Sequence, residues 1–223
     1  FDAVITTSRP IKEAFPASRQ HKVMIVGNYP RVDEFAGIPH DQKEHSVCYV
    51  GSMSEARGLY AMMESLSYHE ARLEMAGRFY PPGLHQAVLK DKNQGRIRYH
   101  GVMDRTGIEQ IYRISKIGLL PLLPNPHHHV ILPIKLFEYM AAGLPVVASN
   151  FPLWREIVEG TGCGWCVDPE DPEAMGNTIA RLLGDQALRK RMGQKGRHAV
   201  EQFYNWESQE KVLWQLYNQI TGG

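Results

Sequence analysis

From residue 46 the chain alternates short strand-like runs with stretches of helical period. The strand-like runs are SVCYVG (46–51), RLEMAG (72–77), RIRYHG (96–101), IGLLPL (117–122), PVVAS (145–149) and CGWCVD (163–168). Amphipathic segments fill the gaps near 54–68, 83–93, 105–115, 133–142 and 152–159. Several runs are apolar at nearly every position, as strands are when helices cover both faces of their sheet. This alternation predicts right-handed crossovers and an open, doubly wound parallel sheet of the α/β class.

Two helical stretches close the chain. The first opens at Asp171 and Pro172, an N-cap followed by a residue suited to the first helical position. The second, NWESQEKVLWQLYNQI, sets Trp206, Leu213, Tyr217 and Ile220 on one stripe, with Asn205 as its cap. Such a stripe needs an apolar surface, either on this domain or on a neighbour. At the other end, FDAVITTS and KVMIVGNYP read as two strands joined by a short helix, too little to enclose a core. The polar stretch RVDEFAGIPHDQKEH reads as a linker. The expected organisation is residues 1–30 as the tail of a preceding domain, a linker over 31–45, the main domain over 46–204, and a helix over 205–223 packing back towards the preceding domain. The chain does not begin with methionine and is expected to be a fragment of something longer. Orphaned strands are a route to swapped dimers, so a dimer of the chain is one expectation.

Composition narrows the classes. With 223 residues, 43% hydrophobic, 22% charged and a net charge of +1, this is an ordinary globular composition with no charge excess suited to nucleic acid. The basic segment 181–197 reads as a solvated helix face, with an acidic partner or membrane surface as the alternative. Cys163 and Cys166 have a redox spacing but lie in a strand pattern without a second ligand pair, so buried reduced thiols are expected. No run approaches the ~20 apolar residues of a membrane helix, and no signal peptide is recognisable.

Three places point to one ligand type. In YVGSMSEARG (49–58) a strand ends at Gly51, and Ser54 is a candidate N-cap for the next helix, leaving Arg57 in its first turn. In LPIKLFEYMAAGLPVVAS (132–149) Pro133 starts a helix, and Lys135 falls in its first turn with Glu138 three residues on. Ile134, Phe137 and Ala141 share the face expected to pack on the sheet. A cation near a helix N-terminus is disfavoured by roughly 0.3–1 kcal/mol unless something anionic compensates. Lysine would meet a phosphate there, and the two acceptor oxygens of a carboxylate match a ribose diol. In YHGVMD (99–104) a strand ends at Gly101, where backbone groups are placed to bond a base edge.

These segments, with PIKLFEYMAAGLPVVASNFPLWREIVEGTGCGWCVDPEDPEAMGNTIARLL and the terminal NWESQEKVLWQLY, resemble the C-terminal half of retaining GT-B glycosyltransferases of family four. The likeness runs from about residue 20 onward. It implies a Rossmann-like, donor-binding domain, with 1–30 as a remnant of the N-terminal acceptor domain. It also implies transfer of a sugar with retention from a UDP- or GDP-linked donor, with no cofactor and no metal. The donor would be held by Gly51, Ser52, Arg57, Gly101, Val102, Lys135, Leu136 and Glu138, with Arg57 as a catalytic cation at the diphosphate and, on this reading of the residues, Lys135 as the second, supplying the charge that Ser52 does not. Glu138 matches the second glutamate of the family's Glu-x7-Glu motif, which binds ribose. Arg57 stands where the family has a lysine, Ser52 where it has a companion arginine, and Val130 where it has the first glutamate.

The loop PNPHHHVILP (124–133) would lie over the donor sugar; its three histidines are expected to be extended and to point to different sides, a poor metal set. A saccharide or lipid-linked acceptor would bind through the missing domain. Cell-envelope polysaccharide or glycolipid synthesis is expected, in the cytoplasm or peripherally at the inner face of a membrane. Two alternatives stay open: a nucleotide-sugar epimerase on the same scaffold, and a GT-B-like binding module without catalysis, which the departures at Ser52 and Val130 favour.

Overall fold

The computed structural model describes residues 2–35, 38 and 44–221. Near its start, β1 (Val4–Thr6) and β2 (Val23–Ile25) pair in parallel as a separate two-stranded sheet, with α1 (Arg9–Glu13) between them. The linker expected over 31–45 lies partly outside the described residues. Its described beginning, Val32–Phe35, is a 3-10 turn that sinks Phe35 into the core.

Six strands make the main sheet: β3 (Ser46–Val50), β4 (Arg72–Ala76), β5 (Ile97–Tyr99), β6 (Ile117–Leu120), β7 (Val146–Ser149) and β8 (Gly164–Val167). All their pairings are parallel, and the order is β5-β4-β3-β6-β7-β8. The chain therefore runs outward from β3 to one edge and then returns to β3's other side at β6. Connections at this pair leave in opposite directions and open a crevice at the carboxyl ends, where doubly wound sheets take their ligands.

The alternation of side chains along each strand splits the core into two layers. Val47 and Tyr49 face one layer with α2 (Leu59–Ser65) and α7 (Pro172–Gly184), whose Met62, Met175 and Ile179 are fully buried. Cys48 and Val50 face the other, built from α4 (Arg105–Ile114), α5 (Ile134–Ala141) and α6 (Pro152–Thr161), with Tyr112, Phe137 and Trp154 at its centre. Helix α3 (Leu84–Leu89) follows β4, and α8 (Gln186–Gln202) packs mainly on α5. On α5 the packed face is wider than the spacing predicts: Leu136, Tyr139 and Met140 are buried with Phe137 and Ala141, while Ile134 is only half-buried. Cys163 and Cys166 are free, and burial pushes their thiols up to about 11 and about 12.

Two expectations change. The helix expected over 54–68 is divided: Ser54 heads a single 3-10 turn, Glu55–Arg57, without a side-chain cap, and α2 begins only after Gly58 at φ 75°. The reason is close approach, since a Cβ at Gly58 would lie 2.0 Å from the Pro121 carbonyl oxygen. The stripe expected on α9 (Trp206–Thr221) is also rotated. Its inward face passes through Gln209 to buried Leu216, leaving Trp214, Tyr217 and Ile220 exposed. The Trp206 N–H bonds the Pro30 carbonyl (2.9 Å) and Gln209 Oε1 accepts from the Gly27 N–H (2.7 Å), which sets that rotation. Asn205 and Asp171 cap as expected, accepting from Ser208 N–H and Ala174 N–H. No helix among the described residues is long and apolar enough to cross a membrane.

Gly58→Ala should lower stability by about 2–4 kcal/mol, from left-handed strain plus the clash at Pro121. Gly83→Ala, at φ −60° in open space, should change it by less than about 0.5 kcal/mol. Similar urea midpoints for the two variants would refute this. A second test concerns His69, which is 6% exposed and bonds the Ala71 N–H through Nδ1. Burial, then Arg96 and His45, lower its imidazole to about 4. The folded value lies below the unfolded one, so the neutral ring's contribution is complete above about pH 6.5 and is lost as pH falls towards 4. Between pH 7 and 4.5 the chain should lose about 2 kcal/mol through this group. His69→Asn, whose Oδ1 replaces the acceptor, should largely abolish that loss; an equal loss would rule His69 out.

Candidate functional site

The site is built where the carboxyl ends of β3, β4 and β5 finish in turns. Gly51 N–H bonds the Ala76 carbonyl and Gly77 N–H bonds the Gly101 carbonyl, both at 2.7 Å. Below them, the Tyr49 hydroxyl donates to the Ser52 carbonyl at 2.8 Å and the Tyr99 hydroxyl to the Gly77 carbonyl at 2.8 Å. Burial pushes the Tyr49 hydroxyl up to about 12, so it stays a proton donor at any physiological pH. These bonds hold the rim rigid from beneath. Ser52 is exposed on it, and Val102, beyond Gly101, is 62% exposed.

Helix α5 brings the second wall. Pro133 precedes its first turn and Lys135 is its second residue. The Lys135 side chain reaches back across the end of β3: a Cβ on Gly51 would sit 2.1 Å from Lys135 Cε and 2.6 Å from Nζ. Gly51 sits at φ 145°, a conformation that L side chains rarely adopt, and the end of the lysine fills the space beside it. Arg57, half-buried at the end of its 3-10 turn, is near enough to act on the same charge. The Lys135 ammonium is held below the usual lysine range, first by burial and then by the Arg57 guanidinium, while Glu138 opposes both. Among the described residues, no carboxylate forms an ion pair with Lys135 or Arg57. Two cations share one place, and among the described residues neither is ion-paired to a carboxylate.

Glu138 explains why. The sequence pairs it with Lys135 on a helix face, but its carboxylate is taken elsewhere. Oε1 accepts from Arg105 Nη1 at 2.6 Å and Oε2 from the Tyr112 hydroxyl at 2.9 Å, and the residue is 4% exposed. Arg105 also pairs with Glu34 through Nη2. Leu136 is fully buried, and its N–H bonds the Pro133 carbonyl at 3.0 Å.

Arg57 is moved off the position first expected for it. It ends a 3-10 turn rather than opening an α-helix, so the dipole argument does not apply to it. Arg105 was missed by sequence reasoning, although it carries the same signal that drew attention to Lys135. It is the first residue of α4, directly after the Asp104 cap, a cation where the helix end disfavours one. Tyr112 gives no such signal, because a tyrosine two turns into an amphipathic helix reads simply as core.

The loop 124–133 is turned, not extended. His128 is buried, with its Nδ1 2.7 Å from the Leu123 carbonyl and 2.8 Å from Asn125 Nδ2, while His127 and His129 are exposed and His129 lies 4.5 Å from the Phe151 ring. Burial lowers the His128 imidazole despite its bond to the Leu123 carbonyl. Val130 is half-buried, and its carbonyl accepts from the Ser8 hydroxyl. Among the described residues, no three His, Cys, Asp or Glu side chains are grouped to hold a metal ion. The arrangement suits an anion laid against Lys135, Arg57 and the backbone after Gly51, where desolvation strengthens each charge.

Comparison with known proteins agrees with this geometry. The chain is 25% identical to the phosphatidyl-myo-inositol mannosyltransferase of Mycobacterium leprae over 84% of its length, and 25% identical to the D-inositol 3-phosphate glycosyltransferase of Xylanimonas cellulosilytica over 84%. It spans only 50% and 45% of those two relatives. In fold it is similar to Anabaena HepE in complex with UDP, with a TM-score of 0.83 and 16% identity, covering 98% of this chain and 64% of that one. The sucrose-phosphate synthase of Thermosynechococcus elongatus gives a TM-score of 0.75 at 22% identity, covering 99% and 59%. The model of the family described as glycosyl transferases group 1 matches residues 30–199. With the sheet order, the crevice at β3 and the two cations that line it, that match makes the chain a member of the glycosyl transferases group 1 family, folded as the C-terminal domain of a GT-B enzyme.

Proposed function

We propose that this chain is the donor-binding half of a glycosyltransferase that moves a sugar, with retention, from a nucleotide-sugar to an acceptor. The carrying observation is the pair Lys135 and Arg57, close enough at the end of β3 for each charge to act on the other, with no ion-paired carboxylate among the described residues. Departure of a nucleoside diphosphate leaves negative charge where these cations point. Fixed cations stabilise that charge more in the transition state than in the bound donor, while the sugar passes through an oxocarbenium-like state. No metal is needed for this role. Lys135 then supplies the phosphate contact that the serine at position 52 does not, Glu138 faces the ribose, and the backbone at Gly101 and Val102 takes the base edge. HepE has been solved with UDP and with UDP-glucose, which supports a uridine donor for this chain as well.

The acceptor, and the group that receives or relays its proton, belong to an N-terminal domain of which residues 1–30 are the tail. The mannosyltransferase relative acts on phosphatidyl-myo-inositol by its name, which supports a lipid-linked or envelope saccharide acceptor met at the inner face of a membrane. The alternative of a binding module without transfer is favoured by Val130, an aliphatic side chain where the family has its donor-sugar glutamate.

Lys135→Ala should weaken UDP or GDP binding about tenfold or more by calorimetry, the worth of one charge-assisted phosphate contact. An unchanged dissociation constant would remove Lys135 from the site. The chain alone should bind nucleotide yet release sugar to an added acceptor at or near the uncatalysed rate; robust transfer by these 223 residues would overturn the assignment of the acceptor site to another domain.

A further inference from the structure

We propose that Arg105 is a positioning residue for ribose recognition: it fixes the Glu138 carboxylate towards the nucleotide diol, and Glu34 sets how it does so. The inference rests on the donor reading above. Glu138 is almost fully buried, and each of its oxygens has one protein donor, Arg105 Nη1 on Oε1 and the Tyr112 hydroxyl on Oε2. A carboxylate offers about four acceptor positions, so one remains on each oxygen. Two remaining acceptor positions, one per oxygen, match in number the two hydroxyls of a ribose.

That arrangement depends on Arg105 giving Glu138 only one nitrogen. A guanidinium facing a carboxylate alone tends to bind both oxygens at once, and would then occupy the positions the diol needs. Here the second nitrogen is drawn off by Glu34, on the turn Val32–Phe35. The guanidinium carbon also lies 4.9 Å over the Phe35 ring, and that ring in turn lies 5.3 Å from Tyr112. Phe35 is 2% exposed, so the turn is anchored in the core and holds Glu34 in place. A segment far from α5 in sequence thereby sets the geometry of the ribose carboxylate. Lysine could not substitute, because a single ammonium on a flexible stem cannot span two carboxylates in this way.

The test is calorimetric titration of the whole chain with UDP and 2′-deoxy-UDP, and in parallel with GDP and 2′-deoxy-GDP. The wild type should prefer the ribonucleotide by about tenfold, the worth of a hydrogen bond to a charged group. Arg105→Lys should reduce that preference to within about threefold. Glu34→Ala, on a third-exposed side chain, removes the competing acceptor and should also reduce it, because Arg105 is then free to engage both Glu138 oxygens. A merely structural defect would weaken both nucleotides equally and keep the ratio, and an unchanged ratio in Glu34→Ala overturns the proposal even if Arg105→Lys does not fold. A wild type that binds UDP and 2′-deoxy-UDP equally well overturns it too, while leaving the diphosphate contact standing. A wild type that binds no nucleotide at all defeats the donor reading and this inference with it.

Discussion

The arrangement depends on an unbalanced charge. Lys135 is buried against Gly51 with Arg57 close by, and the acid on Lys135's own helix, Glu138, is committed to Arg105. Had Glu138 paired with Lys135, one of the two positive charges at the rim of β3 would be balanced. Instead, the carboxylate is satisfied from α4, and the excess positive charge is left at the crevice. Like charges in a partly desolvated place raise each other's cost, and that cost is relieved when an anion arrives. The same division separates two side chains within one turn of α5: Lys135 stands with Arg57 at the end of β3, and Glu138 with Arg105 and Tyr112.

Supporting this charge takes much of the surrounding structure. The Tyr49 hydroxyl holds the Ser52 carbonyl and the Tyr139 hydroxyl accepts from the Val50 N–H at 3.2 Å, so both sides of the end of β3 are pinned by buried phenols. Ties hold the early segment in, among them Glu34 to Arg105, the Ser8 hydroxyl to the Val130 carbonyl, and the stretch 27–30 to the start of α9. Those ties reach the Arg105–Glu138 pair, the loop 124–133, and the terminal helix respectively.

The sheet was legible because parallel strands covered on both faces leave unbroken apolar runs, and each of the six runs contains the strand found there. Helix starts marked by a polar cap were equally readable, as at Asp171 and Asn205, whose side chains do bond the first turn. Ser54 looked the same in sequence but failed as a cap. The deciding contact, Gly58 against the Pro121 carbonyl, joins residues more than sixty apart, and no local pattern records it. The destination of the Glu138 carboxylate was hidden for a similar reason. Spacing along a helix says which residues share a face, and Lys135 and Glu138 do, but a stronger donor arriving from α4 outcompetes the neighbour. The rotation of α9 likewise follows from Gln209 meeting Gly27 and not from its own apolar stripe.

The most direct test of the central claim is the titration of the Lys135 ammonium itself, followed by NMR of its side-chain Cε and Nζ resonances with and without UDP. The free chain should show an ammonium that loses its proton below the ordinary lysine range, moving back towards that range in Arg57→Ala and rising on addition of UDP. A Lys135 that titrates as an ordinary exposed lysine, and responds neither to loss of Arg57 nor to nucleotide, would contradict the account.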